Sequence, residues 1–161
     1  MRNLAPLFLI AALLAAPASH AQSVAFGGIS ADISAPVEVE ADNLTVNQST
    51  GQAEFSGNVS IIQGEMRLSA QRVRVNYAAG GQQRIETLEA SGDVTLVNGP
   101  EAAEAQNAVY NVASGTITLT GDVLMTQGEN ILAGERMEVN LRDGTAAVSG
   151  RVRSVIQPGG N

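Results

Sequence analysis

Pairs of glutamates are the residues of this chain whose type and spacing come nearest to catalytic chemistry. A glycosidase needs two carboxylates at a defined separation around a sugar bond. Residues two apart on a strand, such as Glu38 and Glu40, share one face, but that face is polar and solvated. Only 3% of the residues are aromatic and able to stack on a sugar ring. We therefore interpret as solvated surface the pairs Glu38/Glu40, Glu101/Glu104 and Glu135/Glu138.

Two aspartates and several arginines suggest ion binding. Asp93 and Asp122 each follow a glycine in a repeated turn, but the glycine-rich nonapeptide of calcium-binding β-rolls is absent, which favours a turn role. Arginine binds phosphate through its planar fork, yet acids on the same polar face offset the charge of the arginines. A solvated polar face is the stronger interpretation for Arg67, Arg72, Arg74, Arg136 and Arg142.

Absent residue types exclude most other catalytic chemistry. The chain has no Cys, Trp or Lys, and its single histidine is His20, near the N-terminus. Thiolate nucleophiles, disulfides and the usual zinc ligand sets are therefore excluded, and we expect no metal and no cofactor. Without Arg2, eight arginines face 16 acids, which gives a net charge of −8. This charge disfavours a nucleic-acid partner, and we expect a protein that is not an enzyme.

The N-terminus has the pattern of a secretory signal peptide. Arg2 precedes an apolar run over residues 4–16, and the small-residue site Ser19-His20-Ala21 follows. The run is shorter than the roughly 20 apolar residues that a membrane-spanning helix needs, which predicts cleavage after Ala21 and export. The expected division is a signal peptide (1–21), a loosely ordered segment or short cap (22–35), one domain (36–157) and a flexible tail (158–161).

Two short motifs recur in step along the chain. The first is a tetrad of the Ser-Gly-Asn-Val type, whose glycines at 57, 92, 121 and 150 are 35, 29 and 29 residues apart. The second begins at residues 41, 70, 105 and 134, with spacings of 29, 35 and 29. One insertion near residues 78–83, expected to form a longer hairpin loop, explains both long spacings. The sequence therefore predicts four repeats of about 29 residues.

Apolar residues alternate with polar ones between these motifs, and turn residues such as Gln63-Gly64 interrupt the alternation. A period of two predicts half-buried strands. We therefore expect an all-β fold, a stacked antiparallel β-solenoid or jellyroll with two sheets facing each other across an apolar interior.

The predicted interior has the composition of a smooth slot. Only four aromatic residues follow the signal segment, so Val, Leu, Ile, Ala and Met dominate the inward positions. A chain of about 12 carbons gains roughly 10 kcal/mol on leaving water, so such a slot would shelter acyl chains. A structural or adhesive β-solenoid with a filled core remains the alternative. The candidate lipid-binding residues are Val37, Val39, Leu44, Val46, Phe55, Val59, Ile61, Met66, Leu68, Val73, Val75, Tyr77, Val94, Leu96, Tyr110, Ile117, Leu119, Val123, Met125 and Val139.

Residues 36–156 resemble the OstA-like family of periplasmic lipopolysaccharide-transport proteins, through PVEVEAD at 36–42, FSGNV at 55–59, Gln63-Gly64 and LTGDV at 119–123. The resemblance implies a twisted, slightly open β-jellyroll that binds the lipid A acyl chains of lipopolysaccharide and bridges the inner and outer membranes. It also implies an LptC-like inner-membrane subunit at the N-terminal edge and the N-terminal domain of an LptD-like protein at the C-terminal edge. Two unlike open edges predict head-to-tail self-association. A membrane-anchored, LptC-like subunit is a further alternative.

Overall fold

In a computed structural model, which describes residues 29–80 and 84–158, the chain forms a single antiparallel sheet. Within these ranges no helix has the length and hydropathy to cross a membrane. The predicted all-β, open jellyroll is confirmed. The strands are β1 (Glu38–Glu40), β2 (Asn43–Asn47), β3 (Gln52–Gln63), β4 (Met66–Tyr77), β5 (Ile85–Asn98), β6 (Glu101–Asn111), β7 (Thr116–Gln127), β8 (Asn130–Asn140), β9 (Thr145–Ser149) and β10 (Arg153–Val155).

Every long strand bends at its middle, so the single sheet folds into two halves. The pairing register shifts at the bend in each neighbouring pair from β3 to β8. At the ends of the sheet the bend separates two short strands, with β1 and β2 both paired to β3, and β9 and β10 both paired to β8. Sheet half A contains β1, 59–63, 66–70, 94–98, 101–105, 123–127, 130–134 and β10, and sheet half B contains β2, 52–56, 72–77, 85–91, 107–111, 116–120, 136–140 and β9.

The repeated tetrads form the bends. In the third repeat Gly121 has a φ of 84° and Asp122 a φ of 48°, and Gln106 Nε2 donates a hydrogen bond to Asp122 Oδ2 at 2.7 Å. Asp93 accepts the corresponding bond from Gln71. Both aspartates therefore have the predicted turn role, since Asp and Asn tolerate a left-handed backbone better than most residues. We call this line of turns the corner.

Gly121→Ala is expected to lower the free energy of unfolding by about 2 kcal/mol or more, and by more than the control, because a side chain there meets a close contact in addition to a positive φ. A Cβ at this position would also lie 2.9 Å from the Cβ of Gln106. Urea unfolding followed by circular dichroism measures the loss. Gly128→Ala is the matched control, since Gly128 has a φ of 58° and a Cβ added there would have no atom within 4 Å. Equal losses in both variants would contradict this account of the corner.

The hairpin loops fit the repeat frame. β4 ends at Tyr77 and β5 begins at Ile85, on either side of the expected insertion, of which residues 81–83 lie outside the described ranges. Ala78 N donates to Arg84 O. The Ser114-Gly115 and Asp143-Gly144 turns join later strands with four residues each. The insertion leaves the pairing of β4 with β5 in place, with one additional register shift beside the loop, between Asn76 and Tyr77.

The inner faces of the two halves pack against each other and form the core. Its largest fully buried side chains include Leu68, Leu96, Leu119 and Met125. The opposite face is exposed, as the alternation predicted, at Glu38, Glu40, Arg67, Arg72, Arg74, Glu138 and Arg142. We call the space between the two inner faces the slot.

Candidate functional site

Most of the predicted lipid-binding residues line the slot. Fourteen of the twenty are buried: Val59, Ile61, Met66, Leu68, Val73, Val75, Val94, Leu96, Tyr110, Ile117, Leu119, Val123, Met125 and Val139. Four more pack at its margin and are partly buried: Val37, Val39, Phe55 and Tyr77. The structure therefore brings eighteen of the residues together around the slot.

The prediction that Leu44 and Val46 lie inside is wrong. Both face the same side as their β3 partners Phe55 and Ala53, but they are 55% and 52% exposed. Strand β2 is an edge of the sheet, and among the described residues no further strand covers these side chains. They extend the apolar inner face beyond the end of the slot.

Several slot residues were missed from the sequence. Leu88, Met137 and Leu141 are fully buried. Each alternates with polar neighbours, and this alternation is the signal in the sequence that marks them as inward residues. Ile29 is also buried, in the segment 22–35 that was predicted to be loosely ordered or a short cap, of which residues 22–28 lie outside the described ranges.

The slot narrows at the corner, where small residues occupy the inner positions. Ala70 and Ala105 are buried there, and Gly134 takes the equivalent place in β8. A Cβ at Gly134 would lie 2.4 Å from Val148 Cγ1, so the last repeat has no room for alanine. The second repeated motif therefore begins with a small residue because the two halves approach closely at the bend.

The slot opens on the side away from the corner, between two rows of hairpin turns, and this opening is called the mouth. One polar contact crosses it: Tyr110 of sheet half B donates its hydroxyl proton to Gln63 Oε1 of sheet half A, at 2.5 Å. Gln63 is 1% exposed. The expectation of a wholly apolar interior is therefore wrong at the mouth, where a buried amide must satisfy its hydrogen bonds within the protein.

Burial affects the ionisation of two groups near the mouth. It raises the pKa of Tyr110 above its usual value of 10.0, while the Gln63 hydrogen bond and the charge of Arg142 act in the opposite direction. Burial also raises the pKa of Glu101, and a hydrogen bond from Gln127 offsets part of this rise. The mouth therefore favours neutral groups.

Tyr110→Phe is expected to lower the free energy of unfolding by about 1–3 kcal/mol, because Gln63 Oε1 would lose its buried donor. In the wild type, stability should fall as the pH rises above about 10. The Tyr110 phenol ionises first in the unfolded chain and only at a higher pH in the folded chain. Urea unfolding at about pH 9 and about pH 11 measures both effects, and the variant should lose less stability than the wild type over this interval. Tyr77→Phe is the control. An equal effect of both substitutions would contradict a stabilising role for the hydrogen bond between Tyr110 and Gln63.

The outer face shows exposed charge networks. Arg74 contacts both Glu54, at 3.5 Å, and Glu89, at 3.8 Å, and Arg72 contacts Glu54 at 3.3 Å. These exposed pairs contribute little to stability. Within residues 29–80 and 84–158 no three carboxylate or histidine groups form a metal-binding cluster.

A family model described as "LptA/(LptD N-terminal domain) LPS transport protein" matches residues 38–145. An uncharacterized protein of Rhizobium meliloti (strain 1021) is 31% identical over 92% of this chain and 86% of its own length. The lipopolysaccharide export system protein LptA of Escherichia coli (strain K12) is 26% identical over 78% of this chain and 70% of its own.

Two further matches relate the chain to an LPS-assembly protein and to a solved structure. The LPS-assembly protein LptD of Salmonella choleraesuis (strain SC-B67) is 32% identical over 59% of this chain but only 14% of its own length. The crystal structure of LptH from Pseudomonas aeruginosa, described as the LptA homologous periplasmic component of a lipopolysaccharide transport device, has a TM-score of 0.70. At 20% identity it covers 80% of this chain and 99% of its own, and it shows the shared fold. Since the family model matches two thirds of its length, this chain belongs to the LptA/LptD N-terminal domain family of lipopolysaccharide transport proteins.

Proposed function

We propose that this chain is a periplasmic protein that shields the acyl chains of lipopolysaccharide in its slot while the lipid crosses between the two membranes. The relatives named for lipopolysaccharide export and the periplasmic LptH support this assignment. In this proposal residues 1–21 are removed after Ala21. N-terminal sequencing of the exported protein checks the cleavage, and retention of these residues would favour the anchored, LptC-like alternative.

One observation carries the proposal: the apolar inner face continues through all the bent strands and ends at both edges on exposed apolar side chains. At the N-terminal end it finishes on the exposed Leu44 and Val46. At the C-terminal end it continues through the partly buried Val148 of β9 to the exposed Val152. A core that served only to stabilise a monomer would gain nothing from apolar side chains beyond its last covered strand. Exposed apolar surface of this kind marks an interaction site.

The contacts between the two inner faces of the slot can be replaced by contacts with an acyl chain. Its side chains are almost fully buried, so an entering lipid must separate the two halves. The strand order runs from β1 to β10 without closing, and no strand pairing joins the halves across the mouth in the part of the chain that the structure describes. A chain of about 12 carbons brings roughly 10 kcal/mol of hydrophobic free energy to compensate for the separation.

The two edges of the sheet suit a bridge. β1 and β2 form one edge and β9 and β10 the other, and an exposed edge invites strand addition from another chain. The proposed neighbours are an LptC-like inner-membrane subunit at the N-terminal edge and the N-terminal domain of an LptD-like protein at the C-terminal edge. Because the edges differ, a second copy can also add head to tail.

Competition binding tests the lipid assignment. A fluorescent fatty acid of about 12 carbons is expected to bind the mature chain saturably, and purified lipopolysaccharide should displace it. Deacylated lipopolysaccharide is the control and should leave the probe bound. The absence of saturable binding would favour an adhesive solenoid whose core stays filled. Displacement by the deacylated form as well would show that the acyl chains are not what the slot recognises.

A further inference from the structure

The segment 29–37 lies along the mouth and belongs to no strand of the sheet. Its side chains nevertheless alternate in burial. Ile29 is fully buried, and Ile33 is partly buried and packs against the core, while Asp32 and Ser34 on either side of Ile33 are exposed. This segment is called the strap. Its apolar side therefore faces the slot, and its polar side faces solvent.

Side-chain amides from the turns of sheet half A hold the strap. Gln63 Nε2 donates to Ile33 O at 3.1 Å and to Ala35 O at 2.9 Å, and Asn98 donates to Ser30 O. Gln63 and Asn98 end β3 and β5, which are two strands apart and so about 10 Å from each other. Three extended residues span the same distance, so the strap matches the spacing of these amides.

The strap also reaches the turns of sheet half B. Ala31 N donates to Leu141 O at 3.1 Å, and the side chain of Ile33 lies beside Gly115. Since Tyr110 of the same half is bonded to Gln63, one buried polar group connects sheet half B, sheet half A and the strap. The strap thus bridges both margins of the mouth, and it does so through bonds to turns rather than through a ladder of strand hydrogen bonds.

We propose that the strap closes the slot when no lipid is bound, and that acyl chains enter sideways through the mouth by displacing it. This inference rests on the proposed function. Ile29 and Ile33 occupy apolar space at the mouth, so an acyl chain passing between the two halves must replace them. The exchange keeps the interior dry in both states, because one apolar group takes the place of another.

Competition between strap and lipid has a measurable consequence. Only molecules whose mouth is open can bind lipid. The apparent affinity is therefore the intrinsic affinity of the slot multiplied by the fraction of molecules in which the strap is displaced. Burying one isoleucine changes an equilibrium constant by roughly tenfold or more. Ile29→Ser is therefore expected to bind the 12-carbon fatty-acid probe about tenfold more tightly than the wild type, with faster association. Val97→Ser, on the exposed outer face of β5, is the control and should bind as the wild type does.

Hydrogen exchange of the wild-type mature chain tests the same inference without a substitution. Saturating lipopolysaccharide should remove the protection of the Ala31 amide, while the amides of β6 and β7 at the corner remain protected. Protection of Ala31 that stays equal or increases with lipid bound would overturn the strap inference. So would equal probe affinity for Ile29→Ser and the wild type.

The outcomes separate the two proposals. If the wild type binds the probe and lipopolysaccharide displaces it, but the strap stays protected, the slot is right and the strap is wrong. If the wild type and Ile29→Ser both fail to bind the probe, the proposed function fails and the strap loses its role with it.

Discussion

Leu119→Asp is expected to abolish lipid binding and to leave most of the chain unfolded. Leu119 is fully buried, between Ala108 of β6 and Met137 of β8. Removing a buried leucine costs about 2–5 kcal/mol, and an unpaired carboxylate in the same place adds several more. The sum is comparable with the whole stability of an ordinary domain, which is roughly 5–15 kcal/mol.

Circular dichroism and binding of the fatty-acid probe measure this loss. Val109→Asp is the matched control, because Val109 is also an apolar residue in mid-strand but lies 43% exposed on the outer face. It should fold and bind normally, because the new carboxylate stays in solvent. Its cross-strand partner is Glu89, but repulsion between exposed charges is weak, and Arg74 lies in the same outer-face depression. Folding and binding of Leu119→Asp at the level of Val109→Asp would show that the inward and outward faces have been exchanged.

Deletion of residues 152–161 is expected to abolish head-to-tail self-association and the contact with an LptD-like partner. The deletion removes β10, which pairs with residues 131–133 of β8 and forms half of the C-terminal edge. It leaves β9 and the buried middle of the slot in place. Binding of the fatty-acid probe should therefore survive, while sedimentation velocity at high concentration should show only monomers.

Deletion of residues 158–161 alone is the control, because it removes the predicted tail and leaves β10 complete. This shorter chain should associate as the wild type does. Concentration-dependent oligomers of the longer deletion, together with retained capture of both partners, would contradict edge pairing without affecting the slot.

The repeats could be predicted because they depend on local properties of the sequence, namely backbone conformation and the alternation of apolar and polar residues. The tetrad glycines and the residues after them require a left-handed backbone, and this requirement places a bend wherever the tetrad occurs. The alternation between tetrads assigns each side chain to a face, which placed Leu68, Leu119 and Met125 correctly. The insertion near residue 80 could be assigned to a loop because the motifs on both sides kept their spacing.

The errors concern features that depend on what lies next to a residue in space. Leu44 has the right alternation, but its exposure follows from the position of β2 at the edge of the described sheet. In the sequence, Gln63 resembles an ordinary exposed residue beside a turn glycine. It is buried because the strap and Tyr110 both bond to it. Ile29 alternates with polar neighbours over too short a stretch to distinguish a docked segment from a loose one. Periodicity indicates which side chains share a face, and it does not indicate what covers that face.

Photo-crosslinking to lipopolysaccharide tests the central claim, that acyl chains occupy the slot, most directly. A photoreactive residue at an inward position should capture lipopolysaccharide, whereas one on the outer face at Glu40, Arg74 or Glu138 should not. The inward set is Val39, Phe55, Ile61, Leu68, Val75, Tyr110, Leu119 and Met125. Labelling confined to the inward set is the predicted result. Equal labelling of both sets, or labelling of the outer set alone, would contradict the account.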